Sequence, residues 1–263
     1  MNWIISFLKS SIGKKLLMAL TGLFLCTFLL IHLIGNLQLY KHDGGLAFNT
    51  YAVFMTTNPL IKFTSYGLYA TILFHAFWGL YLVFENKKAR PVQYASYNGN
   101  ANSKWTSRWM GVLGTIILAF IIFHMWGFWA QYKFGETPYT RYEKQLGKDT
   151  VTVVNMSVSD FPQKPTFKKV EFSNNGVDYV IIKDLYKVVA DAFKNVWIVL
   201  LYILSMVALS FHLVHGFSSA FQSLGINNSK YNGLIKFVGF GLFGVLVPIL
   251  FAAMPIYFLL FQK

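Results

Sequence analysis

Five of the six histidines in this chain lie within or at the ends of long apolar segments: His32, His75, His124, His212 and His215. The chain has 263 residues, of which 55% are hydrophobic and only 13% are charged, so ionisable side chains in these segments are exceptions. An imidazole inside a bilayer is costly and usually has a function. One buried histidine alone is more often a hydrogen-bonded packing residue, but histidines in four separate segments indicate a shared chemical role.

The segments that carry the histidines are long enough to cross a membrane, which takes about 20 mostly apolar residues. Five such segments are found, over residues 16–39, 63–84, 109–130, 196–217 and 237–260. Backbone polar groups in lipid must be satisfied within each segment, so each is predicted as a helix. The predicted fold is an all-α integral membrane protein, a single domain whose five transmembrane helices form a bundle. The first segment is predicted to be a retained helix because it is too long for a signal peptide and no cleavage site follows.

The net charge is +13, and the basic residues are distributed unequally between the two sides of the predicted membrane topology. With the N-terminus inside, the inner segments carry ten basic residues and the short outer segments carry three. The inner ones are Lys9, Lys14, Lys15, Lys87, Lys88, Arg90, Lys104, Arg108, Lys230 and Lys236; the outer ones are Lys41, Lys62 and Lys263. This asymmetry predicts a cytoplasmic N-terminus and an outside C-terminus. We therefore expect no nucleic-acid partner.

Residues 131–195 differ from the rest, because this stretch is polar and holds eight of the ten acidic residues. It is predicted to be a long external loop between the third and fourth helices. The pieces TVTVV and VDYVII are strand-like, and an interfacial helix is expected over residues 183–194. The acids left elsewhere, Asp43 and Glu85, are not deep in a span, so we expect no carboxylate proton wire through the bilayer.

The depths of the histidines sort them into two pairs. At 1.5 Å per helical residue, His32 and His124 lie roughly 25 Å and 24 Å from the inner boundary, in the outer half. His75 lies roughly 15 Å from that boundary, and His212 also falls in the inner half. Two imidazoles at one depth on different helices suit the iron of a six-coordinate haem, whose axial ligands approach from opposite faces.

Glycines and the scarcity of other ligands support haem over zinc. Each paired histidine has a glycine three or four residues later, at Gly35, Gly79, Gly127 and Gly216. A missing side chain there lets a flat macrocycle, or equally a neighbouring helix, approach the backbone. Zinc prefers three or four ligands clustered at one depth, often with carboxylate or thiolate. The spans have no deep carboxylate, and the single cysteine, Cys26, is predicted to be a packing residue.

Four motifs then carry a resemblance to a known family. IHLIGN around His32, FHAFWGLYLVFENK around His75, FHMWGFW around His124 and FHLVHGFSSAFQSLG around His212 resemble the four haem-bearing helices of the dihaem cytochrome b subunit of succinate dehydrogenase and fumarate reductase. The likeness is to the five-helix, single-anchor bacterial type. The opening SIGKKLLMALTG resembles the Bacteroidetes branch. The resemblance covers the five spans and leaves out residues 131–195.

The resemblance implies two haem b groups with defined ligands. His75 and His212 would bind the haem proximal to the soluble subunits, and His32 and His124 the distal one. In the family, glycines follow the fourth-helix ligand at plus four and plus thirteen, which fits His212 with Gly216 and Gly225. His215 would then not bind iron; it would contact a haem propionate or pack as a polar neighbour of His212.

The resemblance also implies a function and partners. A flavoprotein and an iron–sulfur subunit of the same complex would dock on the cytoplasmic face, with Lys87, Lys88, Arg90, Lys104 and Arg108 as candidate contacts. The chain would transfer electrons between the iron–sulfur subunit and membrane menaquinone, in the bacterial inner membrane. The succinate active site would be on another chain, so no catalytic residue for succinate is expected here. The complex could associate further.

The quinone site and the rival functions stay open from sequence. Asn36, Gln38, His42 and Asp43 are candidate quinone contacts near the outer haem, with His42 as proton carrier; ordinary loop polarity at a helix end explains them equally well. A dihaem cytochrome b of a formate dehydrogenase or hydrogenase would share the haem pattern. A histidine-lined transporter would bind no haem.

Overall fold

The computed structural model describes residues 2–89, 91–92, 98–145 and 151–262. Five helices in it are long and apolar enough to cross a membrane, as predicted. They run over Ser11–Tyr40, Pro59–Lys88, Met110–Phe134, Val196–Ser223 and Ser229–Phe261. Each is longer than the apolar window that identified it, because the polar residues that flank each window continue the helix.

Most of the described residues are helical. The α-helices are α1 (Asn2–Lys9), α2 (Ser11–Asn36), α3 (Leu46–Thr57), α4 (Pro59–Lys88), α5 (Gly99–Asn102), α6 (Trp105–Arg108), α7 (Met110–His124), α8 (Gln131–Phe134), α9 (Leu185–Ala192), α10 (Val196–Ser223), α11 (Ser229–Phe237) and α12 (Val247–Phe261). Short 3-10 helices cover Leu37–Tyr40 and Val158–Asp160, and π-helical segments cover Met125–Ala130 and Val238–Leu246. The first π-helical segment joins α7 to α8 in the third span, and the second joins α11 to α12 in the fifth span.

Asparagine caps define where three of the spans begin. The side-chain oxygen of Asn58 accepts the backbone N–H groups of Leu60 and Ile61, at 3.0 and 3.2 Å. At the start of α10, the side-chain oxygen of Asn195 accepts the backbone N–H of Trp197. At the start of α11, that of Asn228 accepts the backbone N–H of Lys230. A capping side chain satisfies backbone donors that have no partner inside the helix. These caps fix the residue at which each helix begins.

The polar extension contains a four-stranded antiparallel sheet. Its strands are β1 (Tyr139–Gln145), β2 (Val151–Met156), β3 (Lys169–Asn174) and β4 (Val177–Lys183), in the order β2-β1-β4-β3. The all-α class is therefore incomplete. The strand-like piece VDYVII falls on β4, and TVTVV falls on β2 except for Thr150, which lies outside the described residues. The helix expected over 183–194 is α9. The sheet forms because β-branched and aromatic residues alternate with polar ones, the period that suits a half-buried strand.

The chain divides into two compact units. The first comprises Met1–Ile31, Tyr66–Ile121 and Leu200–Ala253, and the second comprises His32–Ser65, Ile122–Val199 and Met254–Lys263. The first unit has an apolar core of Cys26, Met206, Leu209, Leu213, Phe217 and Phe243, so the cysteine is a packing residue as predicted. The second unit buries Tyr142, Ile182 and Phe258 almost completely.

Candidate functional site

His75 and His212 face each other in the first unit. His75 lies on α4 and His212 on α10, and their ring centroids are 6.3 Å apart with an angle of 70° between the planes. Nδ1 of His212 is buried and has no hydrogen-bond partner among the described residues. An unpartnered buried ring nitrogen is costly in a protein interior, which makes this pair a candidate ligand site.

The hydroxyl of Thr21 fixes the proton of His75. Thr21 Oγ1 lies 3.0 Å from Nδ1 of His75 and 2.8 Å from the carbonyl oxygen of Leu17. The Leu17 carbonyl can only accept, and with the hydroxyl donating to it the hydroxyl oxygen accepts the Nδ1–H of His75. Nε2 of His75 is then the unprotonated nitrogen, which is the form that binds a metal.

Hydrogen bonds and an ion pair join α2 to α4 close to His75. Lys14 forms a salt bridge with Glu85, whose carboxylate also accepts the hydroxyl of Tyr81 at 3.1 Å. The indole N–H of Trp78 donates to the backbone oxygen of Lys14 at 3.3 Å. These contacts hold the two helices in the register that brings Thr21 to His75.

Two glycines that the sequence reasoning missed lie against this pair. A Cβ atom at Gly22 would be 3.4 Å from Cε1 of His75, and one at Gly114 would be 3.6 Å from Cε1 of His212. At 1.5 Å per residue they lie roughly 10 Å and 9 Å from the inner boundary, but depth alone does not show which side of a helix faces a histidine ring. Each leaves the space beside a histidine ring free of side-chain atoms.

His32 and His124 face each other in the second unit. Their ring centroids are 5.8 Å apart and their planes are almost perpendicular, at 88°. The ring of His124 also packs on Phe128, with centroids 5.4 Å apart. The π-helical segment Met125–Ala130 begins directly after His124. Such segments widen a helix by one residue and often occur at functional sites.

Both pairs fit the axial ligation of a haem iron. A metal lies about 2 Å from the imidazole nitrogen that binds it, and the centre of the ring lies about 1.2 Å beyond that nitrogen. Two imidazole rings that bind one iron from opposite sides therefore have centroids about 6.4 Å apart. The observed 6.3 and 5.8 Å are close to this value. Among the described residues there is no group of three or more histidine, cysteine or acidic side chains that could hold a metal ion. Each pair offers two imidazole ligands, the number that a six-coordinate haem iron takes from the protein.

The four glycines that follow the paired histidines have different surroundings. A Cβ atom at Gly35 would lie 2.4 Å from Cε1 of Tyr51, whereas one at Gly127 would have no atom of the described residues within 4 Å. At Gly79 and Gly216 it would make ordinary contacts with methionine side chains, at 3.7 and 3.5 Å. The group that approaches the backbone at Gly35 is thus the ring of Tyr51 on α3.

His215 and Gly225 have local partners on their own helix. Nε2 of His215 lies 3.3 Å from the hydroxyl of Ser219, one turn further along α10. Gly225 has φ of 76°, in the left-handed region, and the N–H of Ile226 bonds back to the carbonyl of Phe221. Gly225 therefore ends α10, which explains its spacing without a ligand.

The four candidate quinone contacts are not equally available. The amide of Asn36 donates to the carbonyl of His32 at 2.8 Å, within its own helix. Both carboxylate oxygens of Asp43 accept backbone N–H groups, from Gly45 at 3.0 Å and Ala47 at 2.9 Å, and so begin α3. Gln38 is partly buried and His42 is exposed. His42 lines an open groove of about 660 Å³ in the second unit, together with Tyr186 and Tyr257.

A buried carboxylate ties the extension to α3. Asp184 is 2% exposed and accepts the amide of Asn49 and the N–H of Lys187, both at 2.8 Å, and the hydroxyl of Thr140. Asn49 in turn accepts the N–H of Tyr186 at 2.9 Å. This network joins β1, α9 and α3, the helix whose Tyr51 lies on Gly35.

The phenol of Tyr142 is a second link between the sheet and the segment before α3. Burial, followed by the nearby charge of Asp184, raises the pKa of Tyr142. The phenol is therefore protonated and donates to the carbonyl of Gly44 at 2.8 Å. Burial also raises the pKa of Tyr51. Both phenols are therefore protonated over the physiological pH range.

Comparison of the chain with protein-family models, curated proteins and solved structures found no match.

Proposed function

We propose that this chain is the membrane subunit of a succinate:quinone oxidoreductase, a dihaem cytochrome b that transfers electrons between an iron–sulfur subunit and membrane menaquinone. The observation that carries the proposal is the arrangement of four histidines as two facing pairs, at 6.3 and 5.8 Å, on helices long enough to span a membrane. The motifs around these histidines resemble that family, and this resemblance is the reason to propose a succinate:quinone oxidoreductase and not another dihaem cytochrome b.

In the proposal each histidine pair holds one haem b. His75 and His212 would hold one, and His32 and His124 would hold the other. Haem b, when bound, supplies reversible one-electron transfer. The protein supplies orientation: Thr21 keeps the proton of His75 on Nδ1, and the apolar side chains around the pairs exclude water.

The soluble partners would be a flavoprotein subunit and an iron–sulfur subunit. Lys87, Lys88, Lys104 and Arg108 are the candidate docking residues; Arg90 lies outside the described residues. Exposed lysines attract an acidic partner surface and raise its association rate. The succinate site would be on the flavoprotein, and this chain would contribute the quinone-reactive end.

His42 is the best-placed of the candidate quinone contacts. Of the other candidates, Asn36 and Asp43 already use their side chains within the protein, and Gln38 is half-buried. The groove that His42 lines is open, and Tyr186 and Tyr257 also line it. In the proposal, His42 donates a hydrogen bond to a quinone carbonyl and supplies a proton as the quinone is reduced.

Purification of the tagged full-length chain with its native partners tests the proposal. We expect a flavoprotein and an iron–sulfur protein to co-purify, and a low-spin haem b spectrum with two haems per chain that succinate reduces. A haem spectrum reduced by formate or hydrogen instead would identify the other dihaem cytochrome b class. A colourless chain that moves a solute after reconstitution would identify a transporter.

A further inference from the structure

Five lysines lie close together in the second unit, at the ends of the second and third candidate spans and on the extension. This lysine cluster consists of Lys62, Lys133, Lys164, Lys168 and Lys183. The ammonium groups of Lys168 and Lys183 lie over the same ring, that of Tyr132, at 5.9 and 5.0 Å from its centroid. Lys62 lies near the start of α4, and Lys133 on α8 at the end of the third span.

The charge of the lysine cluster is largely uncompensated by protein groups. Nζ of Lys183 donates to the carbonyl of Tyr132 at 2.6 Å, and Nζ of Lys168 to that of Thr56 at 3.2 Å. Within the described part of the chain, the one ion pair that a cluster lysine forms is Lys164 with Glu136, at 3.9 Å between exposed side chains. Neutral carbonyls stabilise an ammonium without cancelling its charge.

The pKa values of the two central lysines agree with this geometry. Burial lowers the pKa of Lys168, and the positive charges of Lys62 and Lys133 lower it further. Burial also lowers the pKa of Lys183, with added repulsion from Lys168 and Lys164. An anion placed among these groups would relieve the repulsion on every one of them.

Exposed apolar side chains adjoin two of the lysines along the chain. Leu60 and Phe63 flank Lys62 and are 73% and 77% exposed, and Phe134 follows Lys133 and is 71% exposed. The ammonium of Lys133 lies 5.0 Å from the ring of Trp129. Lysines and aromatic residues at the ends of spanning helices are typical of the boundary where lipid headgroups lie.

We propose that the lysine cluster binds the phosphate of an anionic phospholipid headgroup, with the acyl chains against Leu60, Phe63 and Phe134. Unpaired positive charge selects a headgroup with net negative charge over a zwitterionic one, and the apolar neighbours select a lipid over a free phosphate. This proposal does not depend on haem or on succinate.

Native mass spectrometry of the full chain in detergent tests the proposal. The chain is titrated with phosphatidylglycerol or phosphatidylcholine that carry the same acyl chains. We expect phosphatidylglycerol to bind at least roughly tenfold more tightly. The variant Lys62→Gln/Lys133→Gln changes two exposed side chains and should fold normally. It should lower the affinity for phosphatidylglycerol by roughly fivefold per lysine and leave that for phosphatidylcholine unchanged.

A matched control removes two lysines from the same extension. Lys187 and Lys194 both pair with Asp191, at 3.4 and 2.6 Å, so Lys187→Gln/Lys194→Gln should change lipid affinity less than twofold. An equal loss in this control, or equal affinities for the two lipids, would overturn the proposal. Millimolar inorganic phosphate should leave phosphatidylglycerol bound; displacement would identify a free-phosphate site instead of a lipid site.

Discussion

The ring of Tyr51 lies directly against the backbone of Gly35, where a Cβ atom would be 2.4 Å from Cε1 of the tyrosine and 2.9 Å from its hydroxyl oxygen. Gly35 follows His32 by three residues on α2, and Tyr51 lies on α3. The contact therefore joins α3 to the helix turn that carries a proposed haem ligand. A side chain at position 35 must displace either the tyrosine or that turn.

Gly35→Ala should lower occupancy of the haem site at His32 and His124 and destabilise the protein by about 1–3 kcal/mol, the usual cost of overpacking. The double variant Gly35→Ala/Tyr51→Ala should recover part of the loss, because it removes the clashing ring. Haem absorbance per chain and the melting temperature measure both effects.

Gly127→Ala is the matched control for this substitution. Gly127 follows His124 by three residues, as Gly35 follows His32, but a Cβ atom there meets nothing within 4 Å. We expect normal haem content. A loss equal to that of Gly35→Ala would mean that glycine flexibility, and not the contact with Tyr51, matters at both positions.

Thr21→Val should lower the affinity of the His75 and His212 site for haem by about 10- to 100-fold, the usual effect of losing the partner that orients a ligating histidine. The valine keeps the shape of threonine and removes the acceptor for Nδ1–H of His75. Haem titration of the apo chain measures the change. Thr27→Val on the same helix is the control, because in the described part of the chain the Thr27 hydroxyl bonds only the Leu23 carbonyl, at 3.1 Å.

His212→Ala should remove one of the two proposed haems, and His215→Ala should leave both. His212 faces His75 across 6.3 Å, whereas His215 bonds Ser219 on its own helix. The pyridine haemochrome assay gives the number of haems per chain. Equal losses in the two variants would contradict the assignment of His212 as the ligand.

Asp184→Asn should destabilise the sheet by roughly 2–4 kcal/mol, because an amide group would then face the donors that the carboxylate now accepts. Faster hydrogen exchange at the amides of β1 and β4 measures the loss. Asp191→Asn, a change at a half-exposed carboxylate on α9, should leave exchange nearly unchanged. Comparable effects of both substitutions would mean that Asp184 does not hold the extension in place.

The lysine cluster predicts a stability that rises with pH. Lys168 and Lys183 have folded-state pKa values below the ordinary value of 10.5, so the unfolded chain binds more protons between those values and 10.5. The free energy of unfolding should therefore increase with pH across that window and stop increasing above it. Melting temperatures from about pH 8 to 10.5 measure the trend. Lys168→Gln/Lys183→Gln should flatten it, and Lys187→Gln/Lys194→Gln should not.

The spans and the facing histidines followed from sequence because two strong periodic constraints act on them. A helix in lipid needs a fixed length of apolar residues, and a constant rise per residue converts position into depth. His75 and His212, and likewise His32 and His124, could be matched by counting alone. Counting gives no rotation about the helix axis, however, so it did not place Gly22 and Gly114 beside the rings.

The extension and α3 could not be derived in the same way. Thr140, Asn49 and Asp184 meet although 135 residues separate the last two in sequence, and no local pattern signals that contact. Asp43 was proposed as a quinone contact because it is a carboxylate near a helix end. The same position suits a capping residue, and only the backbone course decides between the two roles.

Within the described residues, the strand order β2-β1-β4-β3 leaves β2 and β3 with one unpaired edge each, outside the five candidate spans. Val151, Val153 and Phe172 on these strands are each more than 40% exposed. A free edge beside apolar side chains is a surface on which a further strand can pair. A nanobody selected against this sheet would thus add rigid mass to a small membrane protein, and would serve as the alignment marker that imaging by electron cryomicroscopy needs.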